Sequence, residues 1–270
     1  MAAILISSPM TKHLTHRTFV AGETATPRVR PAGDLRMDWR HALRALRRLL
    51  ADTDDTVQAF EILRALNGRA TARNYRRLVR TPEGGRIAYE RAEFSRRLAD
   101  EAWLAALPAG SVGAAYRDWA RAEAVTAEGL VEVSRVGVAR IEEPHPYAWF
   151  ARRTRDVHDV WHVLTGYGRE SLGEACLVAF SYAQTGGLGW AVIGLGAALR
   201  YRDGRGWPAR RALLEGYRRG RGARWLLGED YERLMREPLG QARERLGLAT
   251  PGRVYSAIAP EVRAGYGRRA

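Results

Sequence analysis

From Leu35 onward, apolar residues return every three or four positions, the period of a helix that buries one stripe. Leu43, Leu46, Leu49 and Leu50 form one such stripe; Val57, Phe60, Leu63 and Leu66 form the next, which stops at Asn67-Gly68. Asp52-Thr53-Asp54-Asp55 between them supplies turn and cap residues, so the two segments read as a helical hairpin. A third helix is expected over 70–79. A fourth is expected around Phe94, Leu98 and Leu104, with Trp103 and Leu107 extending its apolar side and Pro108 ending it. Residues 112–135 carry Tyr116, Trp119, Leu130 and Val133 at mixed spacing and read as helix broken at Gly129, while 136–141 is the one candidate strand.

Pro144 and Pro146 then interrupt the chain, and Pro146 suits the first turn of a helix, where its missing N–H costs nothing. That helix is expected from Tyr147 to Leu164 and to stop at Gly166-Tyr167-Gly168, with another starting near Ser171. No charge occurs over the twenty-five positions from Ala175 to Leu199, a length that raises the question of a membrane span. Ser181, Gln184 and Thr185 before Gly186-Gly187-Leu188-Gly189 mark a break. The stretch therefore reads as two short helices, buried on most sides or lining an apolar cavity. Arg-rich amphipathic helices follow from Pro208 to Leu248, broken near Gly220–Gly222 and at Pro238. The expectation is an all-α, single-domain, multi-helix fold over 34–250 with an apolar groove or tunnel, a disordered leader at 1–33 and a flexible tail at 251–270.

Composition narrows this picture. At 270 residues, 46% hydrophobic and 27% charged, the chain has globular composition. Its single cysteine, Cys176, excludes an intrachain disulfide and a Cys-built zinc site, and fits a reducing compartment. Net charge is +14, carried almost wholly by arginine, with Lys12 the only lysine. From Arg200 to Ala270 there are seventeen Arg against eight acidic residues, a surplus suited to an anionic membrane face or acidic partners. No zinc-finger spacing, RNA-recognition signature or basic zipper accompanies the charge, so nucleic acid is not an expected partner. The leader holds one acid, Glu23, and its apolar run Ala2–Ile6 is too short for a signal-peptide core, although its composition has some resemblance to an organellar transit peptide.

The candidate chemistry lies in the helix after Pro146. His158 and His162 are four apart, so their imidazoles rise from one face, and Asp159 flanks the same stripe three residues before His162. Glu174 follows a short interhelical turn that can bring it beside them. Two His and one or two carboxylates suit zinc or a harder divalent ion such as iron, manganese, cobalt or magnesium, with open positions for water or substrate. Glu174 has a rival role, since Ser171-Leu172-Gly173-Glu174 fits the S-x-x-E capping box. Arg155, three residues before His158, can receive a carboxylate or phosphate, and Gln184 is a further substrate-binding candidate. His41, His145, His13 and His16 are assigned no role.

H-D-x-x-H, eleven residues, then E is the signature of the fourth family of coenzyme Q (ubiquinone) biosynthesis proteins, and His158, Asp159, His162 and Glu174 occupy its defined positions. Leu164-Thr165-Gly166-Tyr167 and Ala183-Gln184-Thr185-Gly186 also resemble that family, most closely over about 147–200. The resemblance implies an all-helical fold and a divalent metal, zinc first, at the motif. It also implies a peripheral membrane protein that acts on a polyprenylated benzoquinone precursor by C1 decarboxylation of a 4-hydroxy-3-methoxy-5-polyprenylbenzoate, with or without coupled hydroxylation. Implied partners are other ubiquinone biosynthesis enzymes and a second copy in a homodimer. The implied location is cytoplasmic against a bacterial inner membrane, or the matrix side of the mitochondrial inner membrane. Two alternatives stay open: a non-catalytic lipid-binding scaffold for those enzymes, and a phosphohydrolase of the kind that uses an adjacent His-Asp pair.

Overall fold

A computed structural model describes residues 33–52, 55–122, 145–201, 206–249 and 252–265. Among these residues every regular element is helical, and the single β-bridge pairs Ser111 with Pro238. The candidate strand at 136–141, the break at Gly129 and nearly all of the leader lie outside the described residues.

Helices α1 (Trp39–Ala51) and α2 (Thr56–Leu66) form the expected hairpin around a small core of their own. The buried stripe of α1 is Ala42, Ala45 and Leu49, whereas Leu43 is 51% exposed. Small residues face the partner helix here, which lets two short helices approach closely, so the leucine pattern pointed one position off the true seam. His41 Nε2 meets Glu61 at 2.6 Å and ties the hairpin together. Helix α3 (Gly68–Leu78) follows without a loop.

Helix α4 (Pro82–Glu90) lies in a stretch to which the sequence pattern assigned no element. Its start is set by Thr81, whose hydroxyl accepts from Gly84 N, and by Pro82 in the first turn. Gly84 is required rather than merely tolerated, since a Cβ there would lie 2.2 Å from the Leu78 carbonyl oxygen. The expected fourth helix is two short ones, α5 (Phe94–Leu98) and α6 (Glu101–Ala105), the second capped by Asp100. Helix α7 (Val112–Ala122) follows.

Helix α8 (Pro146–Thr165) is the centre of the molecule: every residue from Asp156 to Thr165 is buried. His145 caps its start by accepting from Tyr147 N at 3.1 Å, and Gly166 ends it in the left-handed conformation (φ 76°). Helices α9 (Ser171–Thr185) and α10 (Leu188–Arg200) flank the expected break, where Gly186 turns the chain at φ 63°. No helix among the described residues is long and apolar enough to cross a membrane. Helix α9 is buried almost throughout, but α10 is not: Leu188, Leu195 and Leu199, one face of that helix, are exposed.

Helix α11 (Gly206–Gly222) packs tightly on α9, and a Cβ at Gly216 or Gly220 would lie 2.6 Å from the Cys176 oxygen or 2.7 Å from the Phe180 oxygen. A 3-10 turn (Leu226–Gly228) and helices α12 (Tyr231–Leu234) and α13 (Leu239–Leu246) complete the large core. The stretch after Pro251, for which the sequence offers no packing signal, forms helices α14 (Arg253–Ser256) and α15 (Pro260–Gly265). It is pinned through Tyr255, whose backbone N–H and that of Val254 both donate to Glu215.

Candidate metal centre

Helical spacing and burial together place three donors in one small space. His158, Asp159 and His162 each offer a ligand atom, all within 4.8 Å of one another, and all three residues are at most 3% exposed. Glu174, one turn into α9, reaches the group through His162, with Nε2 and Oε1 3.3 Å apart.

The second contacts of these residues orient them. His162 Nδ1 is 2.9 Å from the Tyr167 carbonyl, to which it donates, so Nε2 is the nitrogen turned toward Glu174. The carbonyl is held in place because Gly166 turns the chain immediately after the helix. Each imidazole also lies on an indole: His158 stacks on Trp190 of α10 (5.2 Å, 4°) and His162 on Trp119 of α7 (5.2 Å, 22°).

Both ring nitrogens of His158, Nε2 of His162 and both carboxylate oxygens of Glu174 are buried without a hydrogen-bond partner. Each such group costs about 1–3 kcal/mol if it stays unsatisfied; His162 Nε2 and Glu174 Oε1 face each other at 3.3 Å, and one ring nitrogen of each histidine lies within 4.8 Å of the other and of an Asp159 oxygen. The buried group of His158, Asp159 and His162, two imidazoles and a carboxylate, could hold a divalent cation. The capping-box role for Glu174 is not realised, since Glu170 is the cap residue of α9 and no side chain caps that helix.

Burial sets the electrostatics. It pushes the Glu174 carboxyl up to about 7, against the opposing pull of His162. Burial, the largest single influence, would lower His162, but the charge and contact of Glu174, the charge of Asp159 and the Tyr167 carbonyl together outweigh it and the net shift is upward. Burial and the neighbouring His162 hold His158 well below its ordinary range, so it is a neutral donor. The His162–Glu174 pair thus binds a proton tightly when no cation is present.

The remaining candidates stand differently. Arg155 pairs with Asp156 at 3.0 Å, and its Nη1 is buried without a partner. Gln184 is occupied by backbone: its Nε2 donates to Gly220 O at 2.7 Å and its Oε1 accepts from Leu226 N at 2.8 Å. It clamps α9, α11 and the 3-10 turn together. Arginines of the C-terminal helices also act internally. Arg243 donates to the carbonyls of Val163 and Leu164, and Arg219 to that of Thr165, closing the end of the helix that bears the site. Trp119, Trp190 and the Tyr167 carbonyl escape sequence reasoning, because their places depend on which helix lies opposite.

A sequence profile described as coenzyme Q (ubiquinone) biosynthesis protein Coq4 matches residues 54–252. The chain belongs to this family. Relatives include the mitochondrial ubiquinone biosynthesis protein COQ4 homologs of Rattus norvegicus, 29% identical over 67% of each chain, and Danio rerio, 31% identical over 65% of this chain and 63% of that one. The match thus spans about two thirds of the length of these relatives. Among solved structures, a Nostoc punctiforme PCC 73102 protein named for a ubiquinone-biosynthesis role shares the fold, with TM-score 0.56 and 22% identity over 79% of this chain and 100% of that one. The family places the chain in ubiquinone biosynthesis.

Proposed function

We propose that the protein is a metal-dependent C1 decarboxylase of a 4-hydroxy-3-methoxy-5-polyprenylbenzoate, in which His158, Asp159, His162 and Glu174 hold the ion. The observation that carries this reading is the buried cluster of ligand atoms on His158, Asp159 and His162, in which neither His158 nitrogen has a hydrogen bond and Glu174 faces His162 at 3.3 Å. A bound divalent ion supplies a Lewis acid toward the oxygens of the substrate. The chain's own part is to keep water out of the site, to fix His162 through the Tyr167 carbonyl and to hold both imidazoles flat against tryptophans. Loss of the proton from the ring hydroxyl para to the carboxylate lets C1 accept a proton in its place and become the tetrahedral carbon of a dienone. The bond to the carboxylate then breaks, its electron pair restores the aromatic ring and carbon dioxide leaves.

The polyprenyl tail calls for an apolar path, for which the uncharged helices α9 and α10, directly after Glu174, are the candidates. Work at a membrane surface is supported by the exposed Leu195 and Leu199 of α10 and Trp207 and Leu214 of α11, with the exposed Arg210, Arg211, Arg218 and Arg221 beside them. The same face also favours a scaffold reading, in which the protein binds the intermediate and docks other ubiquinone biosynthesis enzymes.

Replacing His158 and Glu174 by Ala, singly and together, should abolish carbon dioxide release while the helical circular dichroism signal persists. Full activity in the folded double variant would overturn the decarboxylase reading. Binding of the intermediate with no conversion by the metal-loaded wild type would favour the scaffold.

A further inference from the structure

The two imidazoles of the cluster are held in different ways. His162 is fixed twice, since its Nδ1 donates to the Tyr167 carbonyl at 2.9 Å and its ring lies on Trp119. His158 is fully buried and has no hydrogen bond at either nitrogen. Three rings lie against it instead: Trp190, parallel to within 4° with centroids 5.2 Å apart, Trp161 at 6.2 Å, and His162 edge-on at 5.6 Å.

A histidine that binds a metal ordinarily donates its second ring N–H to an acceptor, which fixes the plane of the ring and strengthens it as a ligand. His158 lacks that acceptor. Rotation of an imidazole about its Cβ–Cγ bond is otherwise soft, so packing must set the plane. A parallel indole does so, because turning the imidazole would drive its edge into the indole face. We propose that Trp190 is the positioning residue of His158: its stacked indole takes the place of the missing outer hydrogen bond and presets the imidazole plane for the ion. This rests on the reading of the ligand cluster given above and gives α10 a part in the site.

Trp190 is itself set by a neighbouring helix. It is the third residue of α10, is 3% exposed, and its N–H donates to the Gly187 carbonyl at 3.1 Å. One residue earlier, the Gly189 N–H donates to Asn67 Oδ1 at 2.8 Å. Asn67 ends α2, and a Cβ on Gly187 or Gly189 would lie 2.7 or 2.9 Å from that same oxygen. Both glycines are therefore needed for the start of α10 to reach α2. The hairpin of α1 and α2, which holds none of the four candidate ligands, thus acts on the centre through Asn67 and Trp190.

The test follows cobalt(II) binding, by competition with a chelator for affinity and by visible absorption for ligand geometry. Trp190→Leu should lower cobalt affinity by about ten-fold or more, as for other losses of outer support to a ligand, and should alter the cobalt spectrum. Trp190→Phe keeps a flat ring and should recover most of both. Asn67→Ala should move both in the same direction by a smaller factor. Trp149, 2% exposed, has Tyr75 and Phe150 as its ring neighbours. Trp149→Leu should therefore lower the denaturation midpoint but leave cobalt binding at the wild-type value. Unchanged affinity and spectrum in Trp190→Leu, or in Asn67→Ala should Trp190→Leu not fold, would overturn the proposal, as would equal changes in Trp149→Leu. A wild type that takes up neither cobalt nor zinc would overturn both this proposal and the metal-dependent reading. Cobalt effects as described, in a wild type that releases no carbon dioxide, would leave the role of Trp190 standing and remove the decarboxylase reading instead.

Discussion

His158 shows how a single residue reports on its surroundings. An imidazole between two helices normally spends at least one nitrogen on a hydrogen bond, yet both of its nitrogens are buried and unpartnered, and its flat face lies on Trp190. Glu174 adds a proton to the same account. Its folded value of about 7 lies above the ordinary 4.5, so in the metal-free protein this group stabilises the fold fully below the ordinary value and loses that contribution as pH rises toward 7. Glu174→Gln should therefore match the metal-free wild type near pH 5 and exceed it near pH 8, by a few kcal/mol at most, as thermal denaturation at the two pH values can measure. A cation needs the ionised carboxylate, so the metal-loaded wild type should reverse that order, and its metal affinity should fall as pH drops through about 7. Two histidines four apart with an adjacent acid are legible in any reading of the chain. What the side chains of Trp119 and Trp190 do is not, because a tryptophan in a helical stripe looks the same whether it fills a core or covers a ligand.

Among elements, the contact between α9 and α11 holds Glu174 in place. Gly216 and Gly220 lie one turn apart on the contact face and bring the backbones together at positions where a side chain would strike carbonyl oxygens of Cys176 and Phe180. Gly216→Ala should lower stability by about 1–3 kcal/mol, the cost of overpacking a tight interface, even though alanine is the better helix former. A denaturation midpoint equal to or above that of the wild type would show that the helices can part without cost. The sequence marks Gly220–Gly222 only as a break, since glycine both ends helices and lets them touch, and periodicity does not tell the two uses apart. The breaks at Gly166 and Gly186 were legible because a left-handed turn at a helix end leaves a local signal. Helix α4 has no comparable local signal: two adjacent glycines are poor helix formers, and only the close approach to Leu78 shows why at least the first must be glycine.

At the scale of the molecule, the C-terminal segment braces the loop that orients the site. The Tyr255 hydroxyl accepts from Gly168 N at 2.8 Å and donates to Glu170 at 2.5 Å, and the Arg263 guanidinium lies 4.4 Å over the Tyr255 ring. Gly168 and Glu170 follow directly on Tyr167, whose carbonyl holds His162. Tyr255→Phe should cost about 1 kcal/mol of stability and should weaken cobalt or zinc binding measured by titration. Unchanged metal affinity would separate the loop from the site.

The chain alone determined the longer helices of the hairpin and around the motif and the breaks at Gly166 and Gly186, the spacing that puts His158, Asp159 and His162 on one stripe, and the family they resemble, because these rest on local periodicity, caps and a motif within seventeen positions. Only the tertiary structure decided that Glu174 turns to His162 instead of capping its own helix, that Gln184 is taken up by backbone, that Arg219 and Arg243 close the end of α8, and that Trp119 and Trp190 lie on the two imidazoles. Those outcomes depend on which surfaces meet across tens of residues, where packing and the need to satisfy buried polar atoms outweigh any local preference.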